Sequence, residues 1–230
     1  MSLSTISLRR PLSSYAKMQA LIGALRRNRR FQLRRPRVLT LKYLDIGCGP
    51  NIHEDFINLD FLWRPNVDVC WDISRGLPFA DGSLLGVFSE HCLEHFPLPA
   101  AMALLREIRR VLAPQGIARL VVPDGECYLR TYAKHLKGEC DVRFPYQDSD
   151  YDQGIWTPMM SVNRVFYQDR ESPFGHRTIF DFQLLHTVLS KCGFTHAERR
   201  EFCCGRSPHL LIDTPGRQVE SLYVEAWSTD

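Results

Sequence analysis

The stretch Leu44-Asp45-Ile46-Gly47-Cys48-Gly49-Pro50 constrains this chain more than any other. An apolar run ends in an acid and turns on two glycines. Glycine takes positive φ at little cost and, lacking Cβ, lets a ligand approach the backbone. In doubly wound α/β folds, ligands lie over such turns at the carboxyl end of the first strand. A Gly-x-Gly pair also serves ordinary strand-to-helix turns, so the residues downstream of it decide between the two readings.

Three of those downstream stretches carry weight. Asn58-Leu59-Asp60 closes a second short strand with an acid, suited to paired ribose hydroxyls because both donate and a carboxylate accepts. Val69-Cys70-Trp71-Asp72-Ile73 closes a third strand with Asp72, able to accept from an exocyclic amine. The turn Gly76-Leu77-Pro78-Phe79-Ala80-Asp81-Gly82-Ser83 feeds a fourth strand. That strand delivers Ser89-Glu90-His91-Cys92-Leu93-Glu94-His95 to the same sheet edge.

The remaining pattern is that of an α/β sheet. Strands are expected at Val38–Ile46, Phe56–Asp60, Val67–Trp71, Leu84–Ser89 and Ile117–Val122, and an antiparallel pair at Thr195–Cys203 and Ser221–Ala226. The spacing predicts a helix over Pro99–Leu112, where Ala101, Leu104, Leu105, Ile108, Val111 and Leu112 share a face, ended by Pro114-Gln115-Gly116. Phe180–Lys191 is a second helix, with Asp181 at its start and Gly193 after it, and Thr157–Phe166 a short third. Residues 125–179 are otherwise less regular. Strand–helix alternation of this kind builds a mostly parallel sheet.

In this order, LDIGCGP, NLD, WDI, LPFADGS, SEHCLEHF, LREIRRVLAPQG and VVPD resemble the class I, type 11 methyltransferases, in particular small ones found beside glycan-assembly enzymes. The resemblance covers residues 41–125 closely and 158–226 loosely. It implies a Rossmann-like, doubly wound seven-stranded sheet, mostly parallel with the last strand antiparallel. It also implies S-adenosylmethionine as cofactor and methylation, most readily at oxygen, of a small-molecule or glycan acceptor. The alternative is a non-catalytic relative that binds the nucleoside or scaffolds partners. By resemblance, Asp45, Gly47, Cys48 and Gly49 line the methionine end, Asp60 the ribose, Asp72 and Ile73 the adenine, with Glu90 beside them. The chain departs from the family pattern where the third glycine of the turn is Asn51. It departs again in the ten residues between Gly49 and Asp60, too few for a full crossover helix.

A hydroxyl acceptor calls for a base, and histidine is the usual one. His91, His95 and His176 are the catalytic candidates; Asn163, Arg164 and Arg177 could hold an anionic acceptor. His91-Cys92-Leu93-Glu94-His95 also fits the inverted zinc-peptidase pattern H-x-x-E-H. That pattern needs an established helix, and Phe96-Pro97 come directly after it, so no metal is expected.

The 29 Lys and Arg against 26 Asp and Glu hide an asymmetry. Residues 1–44 hold 11 of the basic residues and no acid, leaving 18 against 26 in the rest. A basic arm (1–37) thus precedes a methyltransferase domain (38–230), in which residues 126–180 are expected to cover the acceptor. A helix over Ser13–Arg30 carries an apolar stripe of Tyr15, Met18, Leu21, Ile22 and Leu25, and residues 31–39 read as a linker. The helix could pack on the sheet, or Arg26–Arg37 could meet an anionic membrane surface. Nucleic acid is disfavoured, because Phe31 is the lone interleaved aromatic. No apolar run is long enough to span a membrane. Eight cysteines without a CxxC pair read as reduced, mostly buried thiols of a cytoplasmic or membrane-peripheral chain. The adjacent pair Cys203–Cys204 reads as strand filler.

Overall fold

The structure, a computed structural model, describes residues 14–27, 30–139, 143–145, 156–167 and 175–229. Seven strands form one sheet: β1 (Tyr43–Ile46), β2 (Phe56–Asp60), β3 (Val69–Cys70), β4 (Leu84–Glu90), β5 (Leu112–Pro123), β6 (His196–Arg200) and β7 (Ser221–Trp227). Their order is β3-β2-β1-β4-β5-β7-β6. β1 to β5 are parallel, and β7 runs antiparallel between β5 and β6. The expected seven-stranded Rossmann-like sheet is therefore present.

One sheet face carries the main core. Leu44, Ile46, Ile57, Leu59, Val87, Ala118, Leu120, Val122, Leu222 and Val224 point into it, as period-2 alternation requires. Two helices cover it: α3 (Leu98–Val111), and α6 (Phe182–Lys191) capped by Asp181, whose carboxylate accepts from Leu184 N at 2.7 Å. The long helix forms where its apolar spacing places it, and Ala101, Leu105, Ile108 and Val111 are fully buried.

Among the described residues, the cluster on the opposite face is built from strands and loop and not from a matching helix layer. Phe56, Phe88, Val121, Tyr223 and Leu210 cluster there, with Leu210 coming from the long connection between β6 and β7. Arg119, in the middle of β5, is fully buried on this side. Its Nε and Nη2 donate to the Asp213 carboxylate at 2.7 and 2.5 Å, and Nη1 lies 3.5 Å from Glu225. Two further bonds reach the carbonyls of Cys204 and Glu201. A buried, fully hydrogen-bonded cation thus stitches the 201–217 loop across the sheet.

Between β1 and β2 no helix forms, as the short spacing implied. Asn58 replaces it. Its side chain accepts from His53 N at 2.9 Å and donates back to His53 O at 2.9 Å, with a third bond to Asp68. Asn58 is fully buried, so these bonds settle a loop whose backbone would otherwise be unpaired.

Several expectations change. Residues 36–40 form a helix, α2 (Pro36–Thr40), started by Pro36 at its first position, so β1 begins only at Tyr43. A 3-10 turn at Arg30–Arg34 stands where a linker was expected. Pro114-Gln115-Gly116 does not end the helix region as coil. It bulges inside β5, where Leu84 pairs with Leu112 and Gly86 with Ile117, and Gln115 takes φ +62°. Residues 125–136, read as irregular, form α4 (Gly125–Leu136); Asp124 caps it by accepting from Glu126 N and Cys127 N. Helix α5 (Pro158–Tyr167) falls where a short one was expected. The antiparallel partners β6 and β7 are joined by the 201–217 loop, not by a tight hairpin. Cys203 and Cys204 lie there, exposed, so they fill no strand; all described cysteines are free. Cys140 lies outside the described residues.

The leading helix α1 (Ser14–Arg26) does not bury its stripe: Tyr15, Met18, Leu21 and Leu25 are exposed. It meets the body through Gln19, Gly23 and its arginines instead. Arg27 donates to Phe61 O at 2.7 Å and lies over the Phe61 ring, while Arg26 lies over Trp63.

Candidate active site

Parallel strands deliver their carboxyl ends to one edge, and there Asp45, Asp60 and Glu90 share a face. The glycine turn is closed by backbone: Gly47 N and Cys48 N both donate to Leu59 O. Asp60 then reaches over it. One carboxylate oxygen accepts from Gly49 N at 2.9 Å and the other from Leu62 N at 2.7 Å. Each oxygen has a second lone pair, so the capacity to accept from a diol remains.

Gly47 (φ +74°) and Gly49 (φ +56°) both lie in the left-handed region. They differ in surroundings. A Cβ at position 47 would stand 2.9 Å from Cys92 Sγ, whereas one at position 49 would meet only Gly47 O at 3.9 Å. Gly47 packs; Gly49 borders open space.

The edge is strongly acidic. Asp45 is buried, and burial, then Glu90, then Asp60 raise its carboxyl well above the usual range. Burial also raises Asp60, opposed by its backbone donors and by Arg64. Glu90 is held at both oxygens: Thr214 N donates at 3.0 Å and Thr214 Oγ1 at 2.5 Å. Thr214 follows Asp213, so the loop anchored by Arg119 fixes Glu90. Neither Arg119 nor Thr214 could be recognised as part of the site from sequence alone, although an arginine inside IARLVV was a visible signal.

Asp72 caps a 3-10 turn, Ile73–Arg75, with its Oδ1 accepting from Ser74 N and Ser74 Oγ; its other oxygen lies 3.6 Å from Arg75. Ile73 is half-buried against the main core. Cys48 offers only backbone to the turn, since its side chain is buried with Val67 and Cys70.

Beyond Glu90 the chain enters a strained bend, with His91 at φ +48°. Its Nε2 pairs with Ser221 Oγ at 2.9 Å and its Nδ1 lies 3.7 Å from Glu94 and 4.0 Å from Glu220. Glu220 also accepts from Tyr128 Oη, which ties α4 to this corner. Leu93–His95 is one 3-10 turn, too short to place two histidines on a helix face; the zinc-peptidase geometry is absent. His176 instead comes in from the segment before Phe180. Arg177 N and Thr178 N donate to Glu94 O and hold that segment down. The three histidines thus surround a buried Glu94. Burial pushes Glu94 up to about 8, His91 down to about 2 and His95 down to about 4, with Arg217 and the other histidines lowering His91 further. Arg217 Nη1 is buried and has no hydrogen-bond partner among the described residues, a group that sequence reading missed. Asn163 and Arg177 are exposed.

The family described as "Methyltransferase domain" matches residues 57–120, from β2 into β5. No curated protein matches the chain. Among solved structures it is similar to an S-adenosylmethionine-dependent methyltransferase from Archaeoglobus fulgidus, at 17% identity and TM-score 0.48, covering 90% of this chain and 93% of that one. It is similar also to one from Thermotoga maritima, at 15% identity and TM-score 0.47, covering 93% and 94%. A third, from Mesorhizobium loti, matches at 16% identity and TM-score 0.45, covering 85% and 94%. Of several longer matched chains, this chain spans 47 to 57% of the length. The sheet order is that of a Rossmann-like fold, and the family match over residues 57–120 is to a methyltransferase domain. S-adenosylmethionine is the methyl donor that family uses.

The residues at the edge fit that donor. A sulfonium and an ammonium bring positive charge to a place where burial, then Glu90 and Asp60, raise the Asp45 carboxyl, and ribose hydroxyls bring donors to Asp60 oxygens with free lone pairs.

Proposed function

We propose that the chain transfers the methyl group of S-adenosylmethionine to oxygen on a small-molecule or glycan acceptor. The observation that carries the donor site is the convergence of Asp45, Asp60 and Glu90 on an open glycine turn. In this reading Asp45 and the backbone of Gly47, Cys48 and Gly49 meet the methionine end, Asp60 the ribose, and Asp72 with Ile73 the adenine. Glu90, fixed by Thr214, sets the charge near the sulfonium. When bound, the donor supplies an already activated methyl carbon, and the chain's task is to hold the acceptor in line with it.

The acceptor side is the His91–His95–His176 corner, with the described parts of residues 126–180 over it. Oxygen-rich acceptors are favoured because Arg217 offers there a buried N–H with no partner among the described residues, a donor that a hydroxyl or carboxylate satisfies. The segments 140–142, 146–155 and 168–174 of this cover lie outside the described residues.

The exposed Met18, Leu21 and Leu25 of α1, beside the basic run 26–37, support peripheral contact with an anionic membrane surface. No described helix is long and apolar enough to cross a membrane.

The test is a turnover screen. The chain is incubated with S-adenosylmethionine and pooled hydroxyl, carboxyl and amine acceptors, and S-adenosylhomocysteine release is read. Release with an oxygen acceptor, absent in Asp60→Asn, is expected. Donor binding with no turnover on any pool supports the non-catalytic alternative, and turnover restricted to amines overturns the oxygen assignment.

A further inference from the structure

Glu94 is 1% exposed, and neither of its carboxylate oxygens has a hydrogen-bond partner among the described residues. A buried polar group left unpaired is costly, so two such atoms on one side chain call for an occupant. Three imidazoles, of His91, His95 and His176, stand 3.7–3.9 Å from Glu94 Oε1, and the charges of Arg217, Glu220 and Glu90 also act on its carboxyl. His95 Nε2 and His176 Nε2 each lie 3.9 Å from Oε1, too far for a hydrogen bond. The His95 and His176 rings stand 5.3 Å apart; His95 Nδ1 has no close hydrogen-bond partner among the described residues, and the His95 ring also interacts with the backbone of Gly175 and His91.

The orientation of His176 is fixed. Its Nδ1 lies 2.6 Å from Val165 O, and a carbonyl can only accept, so Nδ1 carries the proton. In the neutral ring Nε2 then turns a lone pair toward Glu94. Donation from the far ring nitrogen to a backbone carbonyl is how metal-ligating histidines are held.

One donor atom from each of Glu94, His95 and His176 lies within 4.8 Å of the others. Metal–ligand bonds of about 2.0–2.2 Å place neighbouring ligand atoms roughly 3–3.5 Å apart, so modest side-chain rotations close the site. We propose that Glu94, His95 and His176 form a binding site for a divalent transition metal of the zinc class, His91 flanking it. Two imidazoles and one carboxylate suit zinc and its neighbours better than calcium or magnesium, which prefer all-oxygen sets. Three protein ligands leave a position open. In that position the ion would take an acceptor oxygen and lower its pKa. This last use alone rests on the methyl-transfer reading; the metal site does not.

The experiment uses the full, tag-free chain stripped with chelator and titrated with Zn²⁺ or Co²⁺. Readouts are metal content after gel filtration, the visible Co²⁺ band and the thermal midpoint. One equivalent is expected, with a raised midpoint, and equal binding by Cys203→Ser/Cys204→Ser, which removes the exposed thiols. Glu94→Gln keeps the side-chain shape and is expected to weaken binding at least tenfold; His176→Ala is a second probe should Glu94→Gln not fold. No stoichiometric binding by the wild type, or undiminished binding by both variants, overturns the site. S-adenosylmethionine affinity, measured in parallel on the metal-free chain, separates this failure from failure of the methyltransferase reading.

Discussion

Arg119 on β5 and Asp213 in the loop before β7 form a bidentate ion pair at 2.7 and 2.5 Å with both side chains fully buried. The pair lies on the sheet face opposite the one that the helices Leu98–Val111 and Phe182–Lys191 cover. It holds the 201–217 loop across the open face, and through Thr214 that loop grips Glu90 and through Arg217 it reaches the histidine corner.

Breaking a buried pair by removing one partner leaves an uncompensated charge and costs about 3–5 kcal/mol. Asp213→Asn and Arg119→Met are therefore expected to lower the thermal midpoint by roughly 6–20 °C, at about 2–4 °C per kcal/mol for a chain of this size. Differential scanning calorimetry checks this. A shift within the range of surface substitutions contradicts the anchoring role.

Asp45 should show a trade between stability and donor binding. Its carboxyl is raised well above the usual range by burial and by Glu90 and Asp60. Folding therefore takes up a proton, and stability falls as pH rises from the unfolded value through the folded one. Asp45→Asn removes that loss at neutral pH. The expected result is a higher midpoint for the ligand-free chain at pH 7.5, no gain at pH 3.5, and S-adenosylmethionine binding weakened at least tenfold. Melting curves across pH and a calorimetric titration measure both.

The two glycines of the turn should not be equivalent. Alanine at position 47 meets Cys92 Sγ at 2.9 Å and also sits at positive φ; alanine at position 49 has space and only the conformational cost of about 1 kcal/mol. Gly47→Ala is expected to unfold more readily in urea than Gly49→Ala, while Gly49→Ala loses donor affinity with most of its stability intact. Equal midpoints would count against the different surroundings assigned to them.

Thiol reactivity should divide by burial. Burial raises the pKa of Cys48 and Cys92 strongly, and Cys70 to about 11; Cys203 is raised as well, by desolvation and by Asp213, but it and Cys204 are exposed to the reagent. Since the thiolate is the reacting form, iodoacetamide at pH 8 is expected to label Cys203 and Cys204 first, by peptide mapping. Early labelling of Cys48 would contradict the closed packing beneath the turn.

The features legible in the sequence obey local rules. The helix Leu98–Val111 announces itself by apolar spacing, the helix Phe182–Lys191 by Asp181, and the acids at 45, 60 and 90 by standing at strand ends. The features that were missed depend on contacts distant in sequence. Pro114-Gln115-Gly116 has every mark of a stop, yet pairing with β4 carries the strand through it as a bulge. The apolar run 38–42 resembles strand, but Pro36 sets helical φ and wins. Helix α1 has the stripe of a core helix yet packs through arginines on Phe61 and Trp63. No local rule places His176 beside Glu94, 82 residues away, although backbone bonds between Arg177, Thr178 and Glu94 fix the approach.

The most direct measurement is a calorimetric titration of S-adenosylmethionine into the wild-type chain and into Asp60→Asn, with folding of both verified by melting. One site in the wild type, weakened at least tenfold in the variant, is the predicted result. A folded wild type that takes up no S-adenosylmethionine, or a variant that binds it equally well, contradicts the account.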